Sequence, residues 1–243
     1  MSLTRLVLTQ RLGSWSGTKP QSEITSTTSP DTDHVADLVN YVDQAWLDIQ
    51  MRQNNRWLWM RERLEDTVAL SASTRTLAMA SIDATCRTVI PFLAGDTDPL
   101  RYVLLKHPTT AAVHRCSYEP YQGWRGFRDR GTRPEGGPVR FTIRPDGTLE
   151  FDPTPDVAYT LNCDWVHEPV VFTADADEPD MPAHFHMLIV WWAIVYLMGY
   201  DENTTRYQIA ERHLKAMLNR LSIEQLAEDT ISEYLSSNEP YSW

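Results

Sequence analysis

Seven histidines, three cysteines and 33 acidic residues are the groups with which this chain could do chemistry, and their spacing limits what is open to them. His184-Phe185-His186 has the composition of a metal ligand pair. Two positions apart on a helix, however, side chains diverge by roughly 200°, so regular geometry cannot turn both imidazoles onto one ion. A structural or cap-related role is expected instead. Asp175-Ala176-Asp177-Glu178-Pro179-Asp180 resembles the start of a calcium loop. Counted from Asp175, such a loop needs glycine where Asp180 stands and glutamate where His186 stands. The run is expected to be a solvated helix entrance, where the macrodipole favours acid. Cys116 has His114 nearby, but a nucleophile and its base must meet in space, not in sequence. No GxSxG, HExxH, GxGxxG or GxxxxGK[ST] pattern occurs. The expectation is a protein without catalysis or cofactor, the contrary reading being a metal-dependent soluble enzyme built on Asp175, Asp177, Asp180 and His186.

The distribution of charge says more. The chain carries 22 Lys and Arg against 33 Asp and Glu, a net charge of −11. This argues against a protein that grips nucleic-acid phosphates, and against a polybasic membrane binder. Within that balance, residues 122–144 hold six arginines, at 125, 128, 130, 133, 140 and 144, against Asp129 and Glu135. Residues 145–182 hold ten acids and no Lys or Arg. Two readings are open: pairing within one chain beside a solvated surface, or contact between the basic arm of one copy and the acidic face of the next. Contacts of the second, head-to-tail kind close into rings when the rotation permits. At the C-terminal end, Glu239-Pro240-Tyr241-Ser242-Trp243 closes a polar stretch with two large aromatic groups. Such a tail either frays or orders in a partner's groove.

The elements that must position these groups follow from composition and period. With 243 residues, 42% hydrophobic and 23% charged, the chain is globular and long enough to bury a core without staples. Cys86, Cys116 and Cys163 lack zinc spacing and are expected to be reduced thiols. The first residues do not read as a signal peptide, and the longest apolar run is too short to span a bilayer, so a soluble protein is expected.

A helix is expected from Ser2 to Gly13 and a loop over Ser14–Ser29, followed by a long helix opened by Ser29-Pro30-Asp31. In the latter, Val35, Leu38, Val39, Val42, Trp46 and Ile49 form one stripe. In the middle, strands are expected near 67–70, 75–79 and 101–106, a short helix over 109–118, and a loop over 122–138. A three-stranded meander follows from Val139–Ile143, Thr148–Asp152 and Ala158–Val166. Further on, Asp180-Met181-Pro182 opens an all-apolar helix that stops at Gly199, and a second helix covers 204–221. Ser222-Ile223-Glu224-Gln225 then caps a last helix to residue 235. The fold class expected is α+β: a helical bundle of N- and C-terminal helices (1–55 and 176–235), a β-rich insert (56–175, with the basic loop 122–137) and a tail (236–243).

Several of these segments carry a family resemblance. Phe141-Thr142-Ile143, Pro145-Asp146-Gly147-Thr148-Leu149, Phe151-Asp152-Pro153-Thr154-Pro155 and Ala158-Tyr159-Thr160-Leu161 resemble the β-hairpin region of tailed-phage (podophage-type) head-to-tail adaptor proteins. Asp177-Glu178-Pro179-Asp180-Met181-Pro182, Phe185-His186 and Leu188-Ile189-Val190-Trp191 resemble the approach to their central helix. Residues Leu38 to Gln50 are similar to their long N-terminal helix. About half of the chain is covered, in order, and 56–136 matches nothing in it. The resemblance implies a structural protein of the virion, made in the host cytoplasm. It implies a ring, commonly of twelve copies, that joins the portal protein to the tail nozzle and lines the channel through which genome DNA passes unbound. On that implication Glu239, Pro240, Tyr241, Ser242 and Trp243 reach the portal, while Arg125, Arg128, Arg130 and Arg133 touch a neighbouring subunit or the tail. Another connector, such as a head-completion or neck protein, is the alternative within the same class.

Overall fold

In the computed structural model, residues 2–30, 33–52, 57–93, 101–128, 135–201 and 204–226 are described, with the backbone alone at 92, 93, 127, 128, 200, 201 and 204. These residues are α+β, and they divide into an α unit from Met1–Met60 with Pro169–Trp243 and a β unit, Arg61–Glu168.

The α unit is organised by the helix that has no polar side. Helix α4, Met187–Asp201, buries Leu188, Ile189, Val190, Trp192, Ala193, Ile194, Leu197 and Met198, so it must be covered in every direction. It packs against α1 (Arg5–Ser16), α2 (Asp33–Met51) and α5 (Thr204–Gln225). Every residue of the α2 stripe read from the sequence is buried, together with Ala45 and Gln50. Gln50 uses its buried amide to imitate a strand partner: Nε2 donates to the Val170 carbonyl at 2.9 Å, and Oε1 accepts from the Val170 N–H at 2.8 Å. Trp46 stacks on Phe172, with centroids 5.8 Å apart. The segment that returns from the β unit is thus tied to α2 at two neighbouring points.

Four expected helix boundaries are corrected here. Helix α1 does not end at Gly13; it begins after Thr4, whose hydroxyl accepts from Val7 N–H at 3.4 Å, and runs to Gly17 at φ 74°. Gly13 is a packing glycine, because a Cβ there would lie 2.9 Å from Ile24 Cδ1 and 3.1 Å from the Lys19 carbonyl. Asp180-Met181-Pro182 does not open α4; a 3-10 turn at Ala183–Phe185 comes between. Gly199 does not stop α4 either, since Leu197 and Met198 keep the helix anchored on its buried side. Finally, Ser222 is not a cap. It is buried within α5, and its carbonyl accepts from Leu226 N–H at 3.1 Å. Leu214, Leu218, Leu221 and Leu226 continue the apolar face past it, which overrides the local capping pattern. Residues 227–235 of the expected last helix lie outside the described residues.

The β unit holds nine strands among the described residues: β1 (Arg61–Leu70), β2 (Thr76–Ala78), β3 (Cys86–Ile90), β4 (Phe92–Leu93), β5 (Arg101–Lys106), β6 (Val113–Tyr118), β7 (Arg140–Ile143), β8 (Thr148–Asp152) and β9 (Tyr159–His167). The sheet is mixed, in the order β1-β9-β5-β6-β7-β8-β2. β3 also pairs with β9, β4 pairs with β5, and β6 and β7 run parallel. Alternate residues Phe141, Leu149, Phe151, Leu161, Cys163 and Trp165 meet in one core.

Three expectations fail in this unit. The expected helix over 109–118 is a hairpin: a turn at His107–Ala112, with Ala111 at φ 55°, returns β6 along β5. The pattern there has period two, with His114 and Cys116 more buried than the exposed Val113 and Arg115. The meander is likewise incomplete. β7 and β8 form the hairpin with its Pro145-Asp146-Gly147 turn, but β9 pairs with β1, β3 and β5 instead of β8. Pro153 and Pro155 interrupt donation to a ladder, and β2 occupies the other edge of β8. The third correction concerns 122–138, where Tyr121–Arg128 is a helix, α3, packed against β7.

Replacing Gln50 by Leu removes both hydrogen bonds to the Val170 main chain. Chemical denaturation of Gln50→Leu should show a loss of about 1–3 kcal/mol. An unchanged midpoint would show that the clamp contributes nothing.

Candidate functional site

The arginine segment is built on α3. Trp124 is buried beneath this helix, and the guanidinium of Arg75 lies 5.9 Å from the centre of its ring. Arg75 in turn pairs with Glu150 at 3.0 Å. Glu150 is only 2% exposed and sits in β8 opposite Thr142 and Thr76. This ion pair, half-buried at Arg75 and buried at Glu150, lies beneath α3 on the sheet face opposite the apolar core. The helix then presents Arg125 outward, exposed. Of the four predicted contact arginines, Arg125 is described in full and Arg128 by its backbone alone, while Arg130 and Arg133 lie outside the described residues. Elsewhere in the segment, Arg144 approaches Asp146 across the hairpin turn at 3.6 Å. Glu239, Pro240, Tyr241, Ser242 and Trp243 also lie outside the described residues.

The residues of the metal-enzyme reading are engaged in folding. The Asp175 carboxylate accepts from Ser26 Oγ at 3.0 Å, from the N–H groups of Thr27 and Thr28 at 2.7 and 3.2 Å, and from Thr27 Oγ1. These bonds, the Thr27 hydroxyl foremost, hold its pKa below the ordinary carboxylate range. Asp177 accepts from the N–H groups of Thr173 and Ala174 at 2.6 and 2.8 Å. The carbonyls of Asp177 and Asp175 accept from Arg5 and Leu6 N–H at 2.7 and 3.2 Å, completing the first turn of α1. The acidic run is therefore a tie between the N-terminal segment and the strap before α4, while Glu178 and Asp180 remain exposed to solvent as expected. His186 is buried; Nδ1 accepts from Leu3 N–H at 3.0 Å and Nε2 donates to the Met181 carbonyl at 2.9 Å. His184 points the other way, its Nε2 3.1 Å from Glu224. Among the described residues no three His, Cys, Asp or Glu side chains are grouped to hold a metal ion.

The cysteines are free thiols, and all three are buried. Burial pushes Cys86 up to about 11 and Cys163 up to about 12, and raises Cys116 further. At neutral pH all three thiols are therefore protonated.

A feature that the sequence reading missed is a pair of open grooves in the α unit. One, about 330 Å³, is lined by Trp15, Trp191, Ile194, Arg206 and Ile209. The other, about 430 Å³, is lined by His184, Phe185, Met217, Arg220, Ile223 and Glu224. At the first, Trp15 (44% exposed) meets Trp191 with centroids 4.7 Å apart, and His213 stacks on the far side of Trp191 at 4.5 Å. The available signal was a second periodic stripe on α5, hidden behind the stronger buried one. Both grooves are lined largely by aromatic and aliphatic side chains, and the second also holds the His184–Glu224 pair. What they offer is apolar contact area rimmed by charge, suited to another protein.

Comparison with known families bears on what such surfaces serve. The family model described as SU10 adaptor protein matches residues 4–240. The chain belongs to the SU10 adaptor protein family. No curated protein matches it. Membership accords with the resemblance to phage head-to-tail adaptors read from the hairpin and helix segments, and it extends across 56–136, where that resemblance had no purchase. It makes the chain a phage structural adaptor, of a kind that works by contact with other phage structural proteins and has a virion location. No helix among the described residues is long and apolar enough to cross a membrane.

Burial lowers the pKa of His186, so the folded protein holds it neutral while the unfolded chain protonates it near pH 6.5. Stability from this group is complete above about pH 6.5 and declines as pH falls from there toward the lowered folded value. Thermal melts between pH 7.5 and 5 should show that decline in the wild type and a shallower one in His186→Asn. Parallel curves would remove His186 as its source.

Proposed function

We propose that this chain is a head-to-tail adaptor whose copies close into a ring, of about twelve, between the portal and the tail nozzle. The observation that carries this reading is the adaptor-family match over residues 4–240. The α unit is read as a helical bundle around α4, and the inserted β-rich region as the part that reaches neighbours or the tail. The excess of 33 acidic over 22 basic residues suits a channel wall, because a negative lining repels phosphates and lets DNA slide without binding. The reaction-free character of the protein follows from the same reading: its work is joining and passage. Negative-stain microscopy of the purified chain with its portal tests the whole, with rings seated on the portal expected.

Two parts of the reading have their own tests. Residues 236–243, with Tyr241 and Trp243 as anchors, are proposed to enter the portal. Deleting them should weaken portal binding by at least about tenfold, as loss of aromatic anchors does, and leave folding intact. Undiminished affinity would withdraw the tail from the interface. Arg125, Arg128, Arg130 and Arg133 are proposed to meet a neighbouring subunit or the tail. Their joint change to Glu should impair ring closure, most strongly at low salt. Rings that close normally at every ionic strength would assign the arm no such part.

A further inference from the structure

The outward face of α5 repeats with a period that solvent exposure alone does not require. Arg206, Ile209, His213, Ala216, Arg220 and Ile223 are all exposed and step by 3, 4, 3, 4 and 3 along the helix. Ile209, Ala216 and Ile223 recur at one-heptad intervals, as do Arg206, His213 and Arg220. A 3–4 alternation of this kind makes a straight seam on a helix and suits the side of another helix. The two grooves of the α unit lie at its ends, one beside Ile209 and the other beside Ile223, roughly 21 Å apart along the axis at 1.5 Å per residue. Ile209 is 47% exposed and Ile223 63%.

The same unit contains a helix face that complements this seam. On α2, opposite its buried stripe, Asp33, Asp37, Asn40, Gln44, Leu47 and Met51 step by 4, 3, 4, 3 and 4. Helix α2 carries Asp33, Asp37, Asp43 and Asp48 and no Lys or Arg. Helix α5 carries Arg206, Arg212, Lys215 and Arg220 against Glu211 and Glu224. The faces also match end for end. The N-terminal end of the α2 face is acidic, whereas its C-terminal end is apolar and finishes in Met51, 55% exposed. On α5 the aromatic groove lies at the N-terminal end, and Arg220 with His184 at the C-terminal end.

We infer that the outward seam of α5 in one copy receives the outward face of α2 from a second copy, antiparallel. In this register Met51 enters the groove of Trp15, Trp191, Ile194 and Ile209, Gln44 lies over Ala216, and Asp37 reaches Ile223 within one turn of Arg220. Both helices span these points in fourteen residue steps, Asp37 to Met51 and Ile209 to Ile223. The parallel alternative puts Asp33 and Asp37 over the aromatic groove, whose Arg206 already donates to the Ser16 carbonyl, and places Met51 among Arg220 and Glu224. Two different faces are used, so the contact is heterologous and each copy keeps one face open for the next. The inference rests on the ring reading and adds to it which surfaces meet.

A cross-linking experiment on the full chain decides it. All three native thiols are buried with raised pKa, so a short bis-maleimide finds little background. The double variant Met51→Cys with Ile209→Cys should give a ladder of dimers, trimers and higher species on denaturing gels. Each single variant should give no ladder. Arg220→Glu should reduce the ladder and weaken self-association by about tenfold, and adding Asp37→Lys to the same chain should restore both. Sedimentation runs in parallel, with and without portal protein. Oligomers that yield no ladder would overturn this interface and leave the ring reading standing, as would cross-links to portal protein alone. A chain that is monomeric in both conditions would overturn both.

Discussion

A helix without a polar face cannot lie at a surface, and α4 is such a helix. Its burial is the constraint from which the α unit follows. The apolar residues from Leu188 to Met198 need cover over most of the helix surface, and that cover is recruited from both ends of the chain: α1 and α2 from before the β unit, α5 from after it. The hydrophobic term is non-directional, so it brings these helices together without fixing how they are joined. Directional bonds do that. Gln50 holds Val170 by two hydrogen bonds, Asp175 gathers residues 26–28, and His186 receives the N–H of Leu3. Trp57, whose indole donates to the Ile49 carbonyl at 2.7 Å, bridges to Leu226 at the end of α5.

These ties recast residues that look chemical in a linear reading. Acid-rich and histidine-bearing, 175–186 has the composition of a metal site, yet its carboxylates accept from main-chain N–H groups and its buried imidazole is neutral. Polar groups removed from water must find partners. In a protein that joins other proteins, those partners are segments of its own chain. The arginines of 122–144 obey a different rule: α3 is seated by one buried tryptophan above the Arg75–Glu150 pair, which leaves Arg125 outside.

Long periodic elements were legible in the sequence. The α2 stripe, the apolar character of α4 and the β7–β8 hairpin each follow from a period and a turn. Local punctuation misled where packing overruled it. Gly13 and Gly199 read as stops but lie within helices. Ser222 reads as a cap but is buried in the last turn of α5, because Leu221 and Leu226 continue the apolar face. Pairing between distant strands was illegible for a different reason. That β9 lies between β1 on one side and β3 and β5 on the other depends on contacts across as many as a hundred residues, and no local pattern encodes it. As for the grooves, their residues are scattered over α1, α4 and α5, and only folding assembles them.

The β unit leaves and rejoins the rest of the chain through strands that are neighbours. Arg61, at the start of β1, stands in register with Val166, near the end of β9. The start of β1 and the end of β9 therefore lie about one strand spacing apart, a gap that a tight reverse turn can close. A module attached in this way can be enlarged, trimmed or exchanged over evolutionary time while the helices around α4 stay as they are.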